Sequence, residues 1–354
     1  MRRPWLWRDG RFISREGSDH VTAATQERLT ALGLTRDRLL EMYYYMLLTR
    51  RIDERMWLLQ RGGKIPFVIS PQGAEAAQVG AAFAFRRGQD YFAPYYRDLG
   101  VNLVAGVTPR EVMLSAFARG ADPASGGKQM PSHWGNRKLN IVSGSSPVTT
   151  QLLHAVGLAQ AARLRGDDVV VYTACGEGSS NQGDFHEALN WAGVHRLPVV
   201  FVVQNNQYAI SVPLSKQVAG GSVAARGPGY GMPGIAVDGT DLLAVHETVR
   251  EAHRRAREGE GPSLIEMRCV RLTSHSSDDD HRRYRSPEEL AAVRERDPLT
   301  RTRKMLLESG LITLEQNEAL ERRVMAEVDD ATDWAESQPY APPEFALRHV
   351  YKED

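Results

Sequence analysis

DVVVYTACGEGSSNQGDFHEALNWAGVHRLPVVFVVQNNQYAIS, residues 168–211, is the stretch that decides the fold of this chain. It opens with an almost unbroken apolar run, passes through a glycine-rich turn, and continues as a helical pattern, DFHEALNWAGVH. A second apolar run, LPVVFVV, follows and stops at two asparagines. Strands that are apolar on both faces, alternating with helices, belong to a parallel sheet covered on each side. The alternation extends outward. A small-residue helix, HAVGLAQAARLRG, precedes the stretch from Gln151. A helix over 242–258 and a strand, SLIEMRCVRL, from Ser263 continue it. The expected fold class is α/β, a parallel sheet with helices on both faces, with helical N- and C-terminal extensions.

The periodicity of residues 1–33 is weak and reads as an extended arm. Thr35 then caps a helix over 36–61, where Leu39, Leu40, Tyr43, Met46 and Leu47 recur at helical spacing and Gly62-Gly63 ends it. The small-residue run 73–85 reads as helix, as does 108–120, with Thr108 as N-cap and Pro109 at the first position. Residues 121–135, thick in Gly, Pro and Ser, read as loop. From Pro298 the pattern is amphipathic helix, broken by QPYAPPEF. This divides the chain into an arm (1–35), an α/β domain (36–297) and a helical extension (298–354).

With 354 residues, 42% of them apolar, the chain can bury a large core, and 44 basic against 44 acidic residues leave no net field to draw a polyanion. Cys175 and Cys269 each sit in an apolar run, away from any metal-ligand spacing, so neither a disulfide framework nor a cysteine zinc site is expected. A reducing compartment fits. The opening MRRPWLWRDG is not followed by an apolar stretch of secretory length, and no apolar run is long enough to span a bilayer. A cytoplasmic protein is expected, or a mitochondrial matrix one if the source is eukaryotic.

The chemistry concentrates in GEGSSNQGD, residues 176–184, between a buried strand and a helix that Asp184 is expected to cap and Glu187 to box. Unpaired helix N-terminal amides and glycine-exposed backbone suit an anion there. A Walker loop would need Gly-Lys-Ser/Thr, which is missing. A dinucleotide fingerprint would need glycine where Asn181 stands, which argues against an NAD-binding protein. Glu177 would repel a diphosphate by several kcal/mol at roughly 4 Å and an effective dielectric near 20, unless a divalent cation lies between them. A set of carboxylate, amide, carbonyl and phosphate oxygens suits magnesium. Its second half is expected at the end of the next parallel strand, where Asn205 and Asn206 stand. A lone Asn-Asn is ordinary turn chemistry; the pairing with GEG is what gives it weight.

GEG followed after a helix by NN resembles the thiamine diphosphate motif. GDFHEALNWA and NNQYAIS resemble the alpha subunits of 2-oxo acid dehydrogenases, a likeness that runs from about Arg36 to the tail. Glu177 in place of the more common Asp, together with AARGPGYG (224–231), is similar to the branched-chain members. The resemblance implies thiamine diphosphate and Mg²⁺ as cofactors, the metal held by Glu177 and Asn206 side chains and the Tyr208 carbonyl. It implies Gly178 and Ser179 beside the cofactor, with Tyr96 and Arg97 of PYYRD reaching the diphosphate and the reacting centre. In GSSPVTTQ (144–151) it implies Ser146 and Val148 against the cofactor, Val148 being smaller than the wedge many relatives carry. It also implies that Ser145, Pro147, Thr150 and Gln151 could hold K⁺.

In SHSSDDDHRRYRS (274–286), too poor in apolar residues to hold itself down, the resemblance implies the active-site loop. His275 there would reach the cofactor and act as a proton carrier, titrating near neutrality, as the acyl group passes to a lipoyl arm. Ser276 aligns with the serine that a dedicated kinase phosphorylates in animal relatives. Phe67 and His133 match stretches near the substrate pocket. The carboxylate that would hold the cofactor's aminopyrimidine has no counterpart in the sequence. A beta subunit in an alpha2-beta2 heterotetramer is therefore implied, with a lipoyl domain of a transacylase core as the second partner. The expected activity is oxidative decarboxylation of a branched-chain 2-oxo acid. The alternatives are a pyruvate or acetoin dehydrogenase alpha subunit and, from a different class, a non-catalytic assembly subunit.

Overall fold

The computed structural model describes residues 5–8, 11–14, 23–349 and 351. Near the N-terminus, β1 (Trp5–Arg8) pairs antiparallel with β2 (Arg11–Ser14), and α1 (Ala23–Ala31) follows. The weak periodicity had read as an extended arm; the chain instead makes a hairpin and a helix, each too short for a periodic pattern to emerge. Next come α2 (Arg36–Arg61), with the Thr35 side chain accepting from the Arg38 amide, and α3 (Glu75–Ala82). β3 (Tyr91–Ala93) and α4 (Leu99–Ala105) lead to α5 (Pro109–Ala116). Thr108 and Glu111 close a reciprocal capping box on α5, with Pro109 at its first position.

The central layer is a five-stranded parallel sheet. It comprises β3, β4 (Val171–Gly176), β5 (Val199–Asn205), β8 (Gly234–Asp238) and β9 (Ser263–Arg268), in spatial order β3-β4-β5-β9-β8. A small hairpin of β6 (Tyr208–Ala209) and β7 (Val212–Pro213) follows β5. Because successive strand residues point to opposite faces, the sheet feeds two cores. Val171, Cys175, Val199, Phe201 and Val203 pack with α6 (Thr150–Arg165) and α7 (Gly183–Val194). Tyr172, Ala174, Val200, Val202 and Ile265 pack on the other face, against the apolar sides of α2, α3 and α8 (Leu242–Arg257). Every residue of β4 and β5 is buried, the reason their sequence shows no alternation.

Two readings change in detail. α7 begins at Gly183 with Gln182 at its cap and no side-chain cap bond, so Asp184 lies inside the first turn. There its carboxylate favours the positive end of the helix dipole without closing a box. The helix expected from Pro298 is two α-helices, α10 (Pro298–Glu308) and α11 (Leu314–Ser337), the second opened by a Thr313–Gln316 capping box, and a short α9 (Pro287–Arg294) precedes them. The chain leaves α11 just before the Pro-rich segment.

The turn 224–230 lies so close to α7 that a Cβ on Gly193 would stand 2.0 Å from the Tyr230 carbonyl oxygen. Gly193→Ala is therefore expected to destabilise the chain by about 1–3 kcal/mol through overpacking. A thermal melt that left the midpoint unchanged would contradict this close approach.

Candidate active site

The three neighbouring strands β3, β4 and β5 end side by side, and the turns beyond their C-terminal ends carry the candidate residues. A cavity of about 390 Å³ opens there. Its lining includes Phe67, Tyr96, Arg97, His133, Ser146, Val148, Glu177, Gly178, Ser179, Asn206, Tyr208 and His275. Segments scattered over more than two hundred positions of sequence thus meet in one pocket. Gly178 is needed for that meeting, because a Cβ there would stand 2.4 Å from the Ala209 Cβ.

Glu177 is 1% exposed. One carboxylate oxygen, Oε2, accepts the Asn206 amide at 3.2 Å, and the other, Oε1, is buried without a partner. Burial holds this carboxyl above its ordinary range, against the backbone hydrogen bonds and the charges of Arg97 and Arg271. An unsatisfied buried carboxylate oxygen is costly, and a cation is the partner it fits. The Asn206 Oδ1 accepts the Tyr208 amide at 3.2 Å and keeps a second lone pair. Among the described residues no three His, Cys, Asp or Glu side chains converge as a metal site. A cation at Glu177 would therefore draw much of its coordination from amide and carbonyl oxygens, water or a bound phosphate, as magnesium does.

Arg97 is 4% exposed. It donates from Nη1 to the Ser70 carbonyl and from Nη2 to His275 Nδ1 at 3.3 Å, while its Nε has no partner. Since a guanidinium only donates, His275 Nδ1 must accept, and the imidazole proton sits on Nε2. Burial, then the charges of Arg97 and Arg271, push the His275 pKa down to about 3. The expectation of titration near neutrality therefore fails for the pocket as it stands. Both arginines approach through folding, Arg271 from only four residues upstream in a bend that no spacing rule foretells.

The loop carrying His275 is short of apolar contacts but is tied by polar ones. The His275 amide donates to Asp279 at 2.7 Å, Tyr284 Oη to Asp279 at 2.5 Å, and Arg271 to Tyr284 Oη at 2.7 Å and the Ile210 carbonyl at 3.0 Å. Ser276, at 7% exposure, is buried.

On the opposite wall His133 Nδ1 lies 3.0 Å from the Met130 carbonyl and its Nε2 2.5 Å from Ser146 Oγ. The carbonyl fixes the proton on Nδ1, so Nε2 accepts from the serine hydroxyl. Tyr95 and Tyr96 share a 2.5 Å hydroxyl contact, and Trp134 Nε1 donates to the Tyr96 carbonyl at 3.1 Å. Ser145 and Gln151 border a small cleft behind Tyr96. Gln151 Nε2 donates to the Ala174 carbonyl at 2.7 Å, and Thr150 Oγ1 reaches the Pro147 carbonyl at 3.4 Å.

Sequence reasoning missed Ile69, Tyr95, Met130, Gln182 and Ile210 in the same lining. Ile69 carried a signal, two places from Phe67 in extended chain. Ile210 carried none: it holds φ +53 and is 54% exposed at the cavity wall, a strained setting for a β-branched residue.

Comparison with known proteins adds the following. The family model described as "Dehydrogenase E1 component" matches residues 43–344. The 2-oxoisovalerate dehydrogenase subunit alpha of Bacillus subtilis is 56% identical over 92% of this chain and 98% of its own length. The 3-methyl-2-oxobutanoate dehydrogenase subunit alpha of Mycobacterium tuberculosis is 40% identical over 92% of this chain and 85% of its own. The pyruvate dehydrogenase E1 component subunit alpha of Staphylococcus aureus is 39% identical over 82% of this chain and 76% of its own.

Proposed function

The chain belongs to the dehydrogenase E1 component family, and from that premise we propose that it is the alpha subunit of a branched-chain 2-oxo acid dehydrogenase. It acts on 3-methyl-2-oxobutanoate and its homologues together with a beta subunit, and passes the acyl group to a lipoyl domain. The observation that carries the reading is the buried Glu177 carboxylate, one oxygen unpartnered, in a cavity shared with Asn206, Arg97 and His275. The 56% identity to a 2-oxoisovalerate dehydrogenase alpha subunit, against 39% to a pyruvate dehydrogenase one, supports the branched-chain substrate.

Thiamine diphosphate, when bound, supplies the nucleophilic carbon and the electron sink for loss of carbon dioxide. This chain's residues do the rest of its half of the work. Glu177, Asn206 and the Tyr208 carbonyl would hold Mg²⁺, and Arg97 would pair with phosphate oxygens through its planar fork. Gly178 and Ser179 would let the diphosphate approach the backbone. Ser146, oriented by His133, and Val148 would support the cofactor's body, while Ser145, Pro147, Thr150 and Gln151 would hold K⁺. Phe67, Tyr96 and His133 would shape the acyl pocket.

An anion in the cavity would oppose the two guanidinium charges and so act to raise the His275 pKa, while burial, the larger cause, stays in place. The added proton would then sit on Nδ1 in place of the Arg97 bond, and Nε2–H would be the proton given during acyl transfer. The cofactor-binding region is assigned to 36–297 and the helical extension to 298–354. The assembly is assigned as an alpha2-beta2 heterotetramer in the cytoplasm; no helix among the described residues is long and apolar enough to cross a membrane.

The test is co-expression with a beta subunit and comparison of decarboxylation rates on 3-methyl-2-oxobutanoate and pyruvate. The branched substrate is expected to be preferred, and the chain alone to be inactive. Preference for pyruvate would move the protein to the pyruvate-type alpha subunits, and turnover by the lone chain would remove the need for a partner.

A further inference from the structure

Residues 67–71 belong to no helix or strand, yet this short ledge carries much of the site. Phe67 and Ile69 line the cavity. The Val68 amide donates to Ser277 Oγ at 3.2 Å, and its carbonyl accepts the Ser277 amide at 2.9 Å. The Ser70 carbonyl accepts Arg97. Just beyond, the Gln72 and Gly73 carbonyls accept the amides of Leu272 and Val270, each at 3.3 Å. The backbone groups of this segment are thus spent on Arg97 and on both ends of the segment bearing His275, and no strand ladder fixes its own shape.

What fixes it comes from beneath. Asp53 lies in α2, is fully buried, and is absent from the cavity lining. Its Oδ2 accepts from Ser70 Oγ at 2.7 Å and from Gln72 Nε2 at 2.8 Å, and Ser70 Oγ in turn accepts the Gln72 amide at 3.2 Å. Arg50, one turn away, is committed to Glu75 at 2.6 Å and Asp297 at 2.7 Å. A carboxylate without an ion pair in an apolar interior is expensive, and packing alone would be served as well by leucine.

We propose that Asp53 is a positioning residue for the cofactor site: by gripping Ser70 and Gln72 it sets the ledge against which Arg97 and the His275 loop are placed. The proposal rests on the thiamine diphosphate reading above. It separates Asp53 from the residues that touch cofactor or substrate, and it assigns a role to a side chain that no motif singles out.

The experiment uses the chain co-purified with its beta subunit and measures three quantities: thiamine diphosphate binding with Mg²⁺ by calorimetry, tryptic cleavage after Arg282, Arg283 or Arg285, and thermal melting. An asparagine could still accept both bonds through its own oxygen, its amide taking the place of the unpartnered Oδ1, so the variant used is Asp53→Leu, which removes the acceptor at similar volume. It is expected to weaken cofactor binding by about 10- to 100-fold, the range for losing an outer-sphere support, and to speed loop cleavage. Activity at saturating cofactor should fall much less.

Ser70→Ala should act in the same direction, and the double variant should lose less than the product of the two single losses. If Asp53→Leu yields no soluble complex, Ser70→Ala and Gln72→Met carry the same test. Lowered melting with unchanged cofactor affinity and cleavage rate would overturn the proposal and leave Asp53 a packing residue. Absence of any Mg²⁺-dependent binding to the unmodified complex would instead overturn the cofactor reading itself.

Discussion

Glu177→Ala abolishes Mg²⁺-dependent thiamine diphosphate binding, by more than about 100-fold, while the apo chain melts at an unchanged or higher temperature. The two halves of this expected result have one cause. In the folded chain the Glu177 carboxylate is met by backbone amides only, that of Asn206 at 3.2 Å, and its Oε1 is buried and unpaired. Its removal forfeits little packing or bonding and relieves a desolvated carboxylate. The loss appears only when a cation and a diphosphate are offered, since it then exceeds what an outer-sphere change costs. Asn206→Ala should share the affinity loss without the gain in stability, because its side chain holds the Tyr208 amide. Calorimetry with and without Mg²⁺ decides the matter; full affinity in either variant removes that residue from the metal site.

The second large effect is on His275. His275→Ala is expected to retain most decarboxylation, read with an artificial electron acceptor, and to lose acylation of a lipoyl domain by about 10²- to 10⁴-fold, the range for removing a general acid or base. The arrangement behind this is asymmetric. Nδ1 is occupied by Arg97, at 3.3 Å, so only Nε2 is available to exchange a proton in the cavity. Losing the ring leaves the Arg97 Nη2 only its 3.4 Å contact with the backbone carbonyl of residue 275, so a modest fall in cofactor affinity should accompany the change. Equal loss in both half-reactions would make His275 a support for Arg97 and the cofactor, with no proton-carrying part.

The core of the fold was legible because its strands are long apolar runs and its helices start at recognisable caps: Thr35 and Thr108 act as their sequence implies. β3 escaped notice because three residues make no period, and its strand character comes from pairing with β4. The candidate site was legible where it lies in contiguous motifs, GEG, NN and PYYRD, whose residues the cavity gathers. It was silent where chemistry depends on approach in space. The depressed pKa of His275 comes from burial and then from the charges of Arg97 and Arg271, and Asp53 reads in sequence as one more polar position on a long helix. Asp184 was misplaced by two positions because Asp serves equally as a cap and as a first-turn anion.

The strand order has a consequence for how the protein comes into being on the ribosome. β8 emerges before β9 yet can join the sheet only on the far side of it, since β9 lies between β5 and β8. Until residue 268 has left the exit tunnel, β5 therefore presents VVFVV with one hydrogen-bonding edge open. An apolar, uncharged strand with an unpaired edge is a template for association with another nascent copy. Synthesis of the stretch 206–268 is thus the interval in which this chain most needs a chaperone. A stop codon within it, or a stall before residue 268 has left the tunnel, should yield aggregate, whereas a stall after residue 268 has emerged leaves the sheet able to complete itself.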